Sequence, residues 1–219
     1  MKPAFDLILF DLDGTLTDSE PGITSCVRYS LEKMGFPVPS QEKLRTFIGP
    51  PLYYGYVNFC GMTPEQAEQA TDYYREIYNV TGAFENAPYP GIIELLEELK
   101  RAGATLAVAT SKPDSIAYRV LDHFHLSPYF SHIACPTESE HSGEKYVLLE
   151  ECLTHCGVKP ENAVMIGDTH FDIEGAQRAG TNFIGVLYGF GTKEEMEEKG
   201  GRVFVKTIDE LKNQLLLPE

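Results

Sequence analysis

The chain opens on a run of apolar residues, Leu7-Ile8-Leu9-Phe10, that breaks into Asp11-Leu12-Asp13-Gly14-Thr15. A continuous apolar stretch bounded this way reads as a strand buried on both faces. The pattern then turns helical. Ile23, Val27, Leu31 and Met34 recur at close to 3.6-residue spacing over 21–34, and Gly35 follows as a stop. Residues 40–48 predict a short helix closed by Gly49-Pro50-Pro51, and the aromatic-rich 52–60 is compatible with another. Thr63-Pro64-Glu65-Gln66 is a helix start, with a hydroxyl cap, a proline at the first position and Gln three residues after the cap. That helix is expected to reach Tyr78.

From Tyr89-Pro90-Gly91 onward the rhythm changes. Helical patterns at 92–101, 115–124, 146–155 and 172–179 alternate with apolar runs at 105–109, 133–135, 163–166 and 183–186, and 203–205 and 208–216 finish the chain. Strands alternating with helices of this length predict right-handed βαβ crossovers. The expected fold is α/β: a Rossmann-like, doubly wound, mostly parallel sheet built from 1–14 and 88–219. The helical stretch after the first strand is too long for one crossover, so 15–87 is expected to be an inserted helical domain.

Composition narrows the partners. The 219 residues carry a net charge of −15, so a basic face for a nucleic-acid polymer is not expected, whereas one local positive site still suffices for a small anion. Five cysteines (Cys26, Cys60, Cys135, Cys152, Cys156) lack metal-ligand pairing and read as buried thiols of a reducing compartment. No charged-then-apolar leader is seen in 1–5 and no apolar run reaches about 18 residues. A cytoplasmic protein without a membrane partner, monomeric or homodimeric, is the expectation.

The chemistry concentrates in four segments: 11–15, Thr110-Ser111-Lys112-Pro113, Lys145, and Gly167-Asp168-Thr169-His170-Phe171-Asp172. Strand ends of a doubly wound sheet converge on one crevice. Asp11, Asp13, Asp168 and Asp172 would then crowd together, and two unit charges about 4 Å apart repel by roughly 4 kcal/mol at an effective dielectric of 20. A hard divalent cation held through oxygens is the natural remedy, and Mg²⁺ is expected. Thr110 and Ser111 precede a helix start, an anion site, and Lys145 adds a compact positive charge. These parts suit phosphoryl transfer, with an aspartate as nucleophile and Asp13 able to move a proton. Gly14 lets the backbone turn tightly beside the ligand.

Asp-Leu-Asp-Gly-Thr at 11–15, Thr110, Lys145 and Gly-Asp-x-x-x-Asp at 167–172 resemble, in order and spacing, the haloacid dehalogenase superfamily of phosphatases. The resemblance implies Asp11 as the nucleophile that becomes an aspartyl-phosphate and Asp13 as general acid/base. It implies phosphoryl binding by Thr110 and the Ser111 amide, and neutralisation by Lys145. Mg²⁺ would be held by Asp11, the Asp13 carbonyl and Asp168, with Asp172 in support. Residues 15–87 would be the family's helical cap. Asp at position 13 implies a phosphatase rather than an ATPase, and Asp168 beside Asp11 argues against a dehalogenase.

Within that superfamily, 13–23 and Ser111-Lys112-Pro113 resemble the phosphoglycolate phosphatase branch, with Ser111 standing where Asn is more usual. Residues 47–52, Phe-Ile-Gly-Pro-Pro-Leu, instead resemble a 5′-nucleotidase-like subgroup. The substrate implied is a small phosphorylated metabolite, 2-phosphoglycolate first and a nucleoside 5′-monophosphate second. A sugar phosphomutase and a non-catalytic binding module are the alternatives. Lys112 competes with Lys145 for the lysine role. Arg45 is a candidate for a substrate carboxylate or second phosphate, with a surface role the alternative. The tyrosines at 53–78 read as helix packing rather than a base-stacking platform, His170 as an incidental loop residue, and Gly189-Phe190-Gly191 as a strand-to-helix turn.

Overall fold

A computed structural model describes residues 1–137 and 144–218. The chain forms two compact units, Met1–Thr17 with Pro88–Glu219 and, separately, Asp18–Ala87. Its elements begin with strands β1 (Lys2–Pro3), β2 (Leu7–Phe10) and β3 (Thr17–Asp18), followed by helices α1 (Glu20–Met34), α2 (Gln41–Arg45), α3 (Leu52–Cys60) and α4 (Pro64–Tyr78). Strand β4 (Ala87–Pro88) leads into α5 (Ile92–Arg101), β5 (Thr105–Ala109), α6 (Asp114–His123), β6 (His132–Ala134) and α7 (Lys145–Cys156). The chain closes with β7 (Ala163–Gly167), α8 (His170–Ala179), β8 (Asn182–Val186), α9 (Lys193–Glu198), β9 (Phe204–Val205), α10 (Ile208–Leu215) and β10 (Leu216–Leu217).

The first unit is built on a six-stranded, all-parallel sheet in the order β6-β5-β2-β7-β8-β9. The order reverses at β2, which is the topological switch point where such sheets open a crevice. Parallel strands covered on both faces must be apolar throughout. Accordingly Leu7 to Phe10, Leu106 to Ala109 and Ala163 to Ile166 are all buried. Register matters more for function. Phe10 lies abreast of Val108 on one side and Ile166 on the other. The residues that follow on β2, β5 and β7 therefore leave the sheet at one level, and these are the residues with chemistry.

Several details differ from the periodicity: α2 stops at Arg45, short of 48, and α8 starts at His170, two residues earlier than expected. Strand β6 starts and ends one residue earlier than expected, its last residue Ala134 accepting from the Thr110 amide at 3.1 Å. Helix α9 lies outside the expected elements, although Thr192 and Glu195 form a capping box, a signal present in Thr-Lys-Glu-Glu. Beside the main sheet, β1 pairs antiparallel with β10 over two residues, too short a run to leave a pattern.

The second unit is helical. Helix α1 buries Ile23, Val27 and Leu31 of the stripe its spacing predicts, with Cys26 beside them, while Met34 at its end is only partly buried. Thr63 and Gln66 form the expected capping box at the head of α4. Tyr56 is fully buried with its hydroxyl 2.5 Å from Ser30 Oγ, and Tyr74 and Tyr78 are buried and stack at 4.7 Å. These rings are packing groups, while Tyr53 and Tyr54 remain exposed. Among the described residues no helix is long and apolar enough to cross a membrane.

Candidate active site

Asp11 follows β2 directly, its amide donating to Ile166 O at 2.9 Å. The chain then folds tightly on itself: Leu12 O accepts from the amides of Thr15, Leu16 and Thr17, and Gly14 takes a left-handed φ of 84°. A methyl at Gly14 would stand 2.2 Å from Asp168 Oδ2, so the turn needs glycine for space as well as conformation. Oxygens of Asp11, Asp168 and Asp172 all lie within 4.8 Å of one another, and all three residues are buried.

Lys145, the first residue of α7, enters this cluster from the other side. Its Nζ lies 2.8 Å from Asp11 Oδ1 and 2.9 Å from Asp172 Oδ1, and it donates to Ala109 O at 3.0 Å. An ammonium has three protons, and three acceptors surround this one. The Asp172 contact is an ion pair that lacks hydrogen-bond alignment. Gly175 on α8 makes the approach possible, because a Cβ there would be 2.7 Å from Lys145 Cγ. Burial works to neutralise the lysine, but Asp11 and Asp172 prevail and hold its pKa above the ordinary range.

Lys112 is the second buried lysine. Its Nζ lies 2.9 Å from Asp13 Oδ2, with the side chains only 5% and 15% exposed. Its amide donates to the buried Thr110 hydroxyl at 3.2 Å. The two lysines therefore do not compete for one place: each has its own aspartate. Ser111, between Thr110 and Lys112 in sequence, is partly buried, two residues ahead of Pro113, the cap of α6.

Asp168 is anchored by a loop that in sequence reads as a simple turn. The Phe190 amide donates to its Oδ2 at 2.7 Å and the Thr15 hydroxyl to its Oδ1 at 3.3 Å. A Cβ on Gly189 would meet Asp168 Cβ at 2.4 Å, and one on Gly191 would meet Asp168 O at 2.1 Å. Tyr188 continues this shelf, its hydroxyl donating to Thr15 O at 3.1 Å. The sequence trace of the shelf is a pair of glycines that lacks the third glycine of a dinucleotide loop. Asp172 does two things at once: Oδ2 accepts from the Thr169 amide at 3.0 Å and hydroxyl at 2.8 Å, capping α8, while Oδ1 faces Lys145.

The electrostatics follow from this crowding. Burial pushes Asp11 up to about 6, with Asp172 and Asp13 adding to the rise and Lys145 opposing it. Burial, then Asp172 and Asp11, raise Asp168 well above the carboxylate range against the Phe190 and Gly191 amides. Four carboxylates face two ammoniums, an excess of two negative charges that one divalent cation would balance. All the donors are oxygens, which suits a hard ion. Arg45 belongs to the Asp18–Ala87 unit, at the end of α2, where its Nε lies 3.1 Å from Glu20 Oε2. His170, expected in a loop, is instead the first residue of α8, with its ring 4.0 Å from that of Phe171.

Comparison with known proteins agrees with this geometry. A family model described as haloacid dehalogenase-like hydrolase matches residues 8–186. A 5′-nucleotidase of Pseudomonas aeruginosa is 42% identical over 189 residues, 86% of each chain. The tyrosine-protein kinase PtkA of Mycobacterium tuberculosis is 37% identical over 95% of this chain and 72% of its own. Phosphoglycolate phosphatase 1 of Pseudomonas aeruginosa is 29% identical over 94% of this chain and 78% of its own. The crystal structure of a predicted phosphatase from Clostridium acetobutylicum superposes with a TM-score of 0.90 at 40% identity, covering 96% of this chain and 97% of that one. The carboxylate cluster at the switch point, the lysine locked into it and these likenesses converge: the chain is an enzyme of the haloacid dehalogenase-like hydrolase family.

Proposed function

We propose that this chain is a Mg²⁺-dependent phosphomonoesterase working through an aspartyl-phosphate. The carrying observation is the cluster itself: Asp11, Asp168 and Asp172 oxygens within 4.8 Å, with Lys145 Nζ 2.8 Å from Asp11. Asp11 and Asp168 would hold the cation, together with the Asp13 carbonyl. Both oxygens of Asp172 are already engaged, by Thr169 and Lys145, so its part is to seat that lysine. When bound, Mg²⁺ supplies positive charge against the phosphoryl oxygens and permits the neighbouring carboxylates to stay ionised.

The residues then divide the work. The Thr110 hydroxyl and the Ser111 amide receive the phosphoryl oxygens, and Gly14 keeps the turn tight beside them. Asp11 forms a bond to phosphorus as the ester oxygen leaves, and that oxygen takes a proton from Asp13. Asp13 next removes a proton from the water that attacks phosphorus; the Asp11 bond breaks and inorganic phosphate departs. Lys145 neutralises the Asp11 carboxylate before that bond forms and after it breaks, and the phosphoryl charge in between. The Asp18–Ala87 unit would act as the cap that selects the leaving group, with Arg45 its candidate anion contact.

For the substrate, the relative named 5′-nucleotidase at 42% identity stands above the phosphoglycolate phosphatase at 29%, which moves nucleoside 5′-monophosphates ahead of 2-phosphoglycolate. The relative named a tyrosine kinase supports a second reading, transfer of the phosphoryl group to an acceptor other than water. One experiment separates these. Inorganic phosphate release is followed from a panel of nucleoside monophosphates, 2-phosphoglycolate and sugar phosphates, with Mg²⁺ and with EDTA, beside an assay of γ-phosphoryl transfer from ATP to a tyrosine peptide. Release from a monophosphate that EDTA abolishes is the expected result. Chelator-resistant release, or labelled peptide without hydrolysis, overturns it.

A further inference from the structure

We propose that Lys112 is a positioning residue for Asp13, fixing which carboxylate oxygen faces the leaving group; the inference rests on the phosphomonoesterase reading above. Three observations carry it. Lys112 Nζ lies 2.9 Å from Asp13 Oδ2, and both side chains are largely withdrawn from water. Asp13 Oδ1 is buried and, among the described residues, has no hydrogen-bond partner. Lys145 is already surrounded by Asp11, Asp172 and Ala109 O, so the ammonium beside Asp13 is that of Lys112.

A buried carboxylate oxygen without a partner costs free energy, so its retention beside a reactive cluster calls for a use. The two oxygens of a carboxylate share one plane. With Oδ2 tied to an ammonium and the backbone of residue 13 held by the Gly14 turn, Oδ1 is left with one direction. Lys112 is itself held: its amide donates to Thr110 Oγ1, and Pro113 follows as the cap of α6. One residue therefore links the phosphoryl-binding hydroxyl to the proton donor. During ester cleavage the proton on Oδ1 passes to the leaving oxygen as its bond to phosphorus breaks. Negative charge then remains on Oδ2, beside the lysine.

The test exploits the leaving group. A proton from Asp13 matters for an alkyl ester, whose departing alkoxide is strongly basic, and little for p-nitrophenyl phosphate. General-acid assistance contributes about 10²–10⁴-fold. Lys112→Met should lower the ratio of kcat/KM for the best alkyl ester to that for p-nitrophenyl phosphate by at least about tenfold, a fraction of that full assistance. In an Asp13→Asn background the same substitution should change the ratio less than about twofold, since residues acting through one group are not additive. If Lys112→Met fails to melt cooperatively, Lys112→Gln takes its place in the same cycle.

An unchanged ratio overturns the inference. So does a loss that persists in the Asp13→Asn background, or one confined to KM for carboxylate-bearing esters, which would make Lys112 a substrate contact. A wild-type chain that releases phosphate from neither ester overturns the phosphatase reading itself, and this inference with it.

Discussion

Lys145 and Lys212 each meet a carboxylate at under 3 Å, yet the two pairs belong to different kinds of chemistry. Lys212 on α10 lies 2.6 Å from Glu98 of α5, with side chains 32% and 25% exposed. Lys145 lies 2.8 Å from Asp11 at 5% and 11% exposure, and it serves a second aspartate as well. Distance does not distinguish them. Desolvation and stoichiometry do: outside, one ammonium meets one carboxylate in contact with water, and inside, two ammoniums meet four carboxylates. Water and salt screen the first pair, whereas the second is a charge imbalance that a cation and a phosphoryl group can exploit.

The comparison breaks most visibly at the nucleophile. Asp11→Asn should lower kcat/KM by at least about 10⁴-fold in a phosphate-release assay, because an amide forms no acyl-phosphate, while circular dichroism remains native. Retained turnover would show that another group attacks phosphorus. Next comes the interior lysine. Lys145→Met should cost about 3–5 kcal/mol in denaturant unfolding at neutral pH, by leaving Asp11 and Asp172 without their ammonium, and should lose activity as well. A melt equal to wild type would mean that the cluster is already neutral.

The third test uses proton linkage. Asp11 sits at about 6 in the folded chain against an ordinary carboxylate near 3.8, so the folded state binds the proton more tightly. Stability of the cation-free protein should therefore fall as pH rises from about 4 to 6, by roughly 3 kcal/mol from this group, and remain low above. Added Mg²⁺ should raise Tm more at pH 7 than at pH 5. Equal increments at both values would detach the metal from these carboxylates. The smallest effect belongs to the surface pair: Lys212→Met should change stability by about 0–1 kcal/mol and kcat/KM not measurably. A larger loss there would undo the contrast.

The same contrast explains what could be read in the chain. Strands β2, β5 and β7 announced themselves as apolar runs, because a parallel strand covered on both faces tolerates nothing else. The residues that interrupt those runs, Asp11, Thr110 and Asp168, were legible as chemistry for the same reason. Lys112 and Lys145 were harder. Both follow a strand and both are basic, and only coordinates show that each has its own aspartate. The Gly189-Phe190-Gly191 shelf left less trace, since its contact with Asp168 is made by a backbone amide and by the absence of side chains. Asp172 carried two roles in one carboxylate, one for each oxygen, and a sequence shows only the residue. Arg45 was legible as a charge, and its pairing with Glu20 was not.

A methyl group on any of four glycines would collide with the acidic walls of the crevice: Gly14, Gly189 and Gly191 against Asp168, and Gly167 against Asp172. Selection or library design for new substrates therefore has almost no freedom at these four sites, since each enlargement would displace Asp168 or Asp172, through the side chain or, at Gly191, through the backbone, before it could contact a new ester. Diversification has to be recruited from positions whose side chains do not abut those aspartates, which makes the catalytic floor a fixed inheritance and substrate choice a property of whatever is built around it.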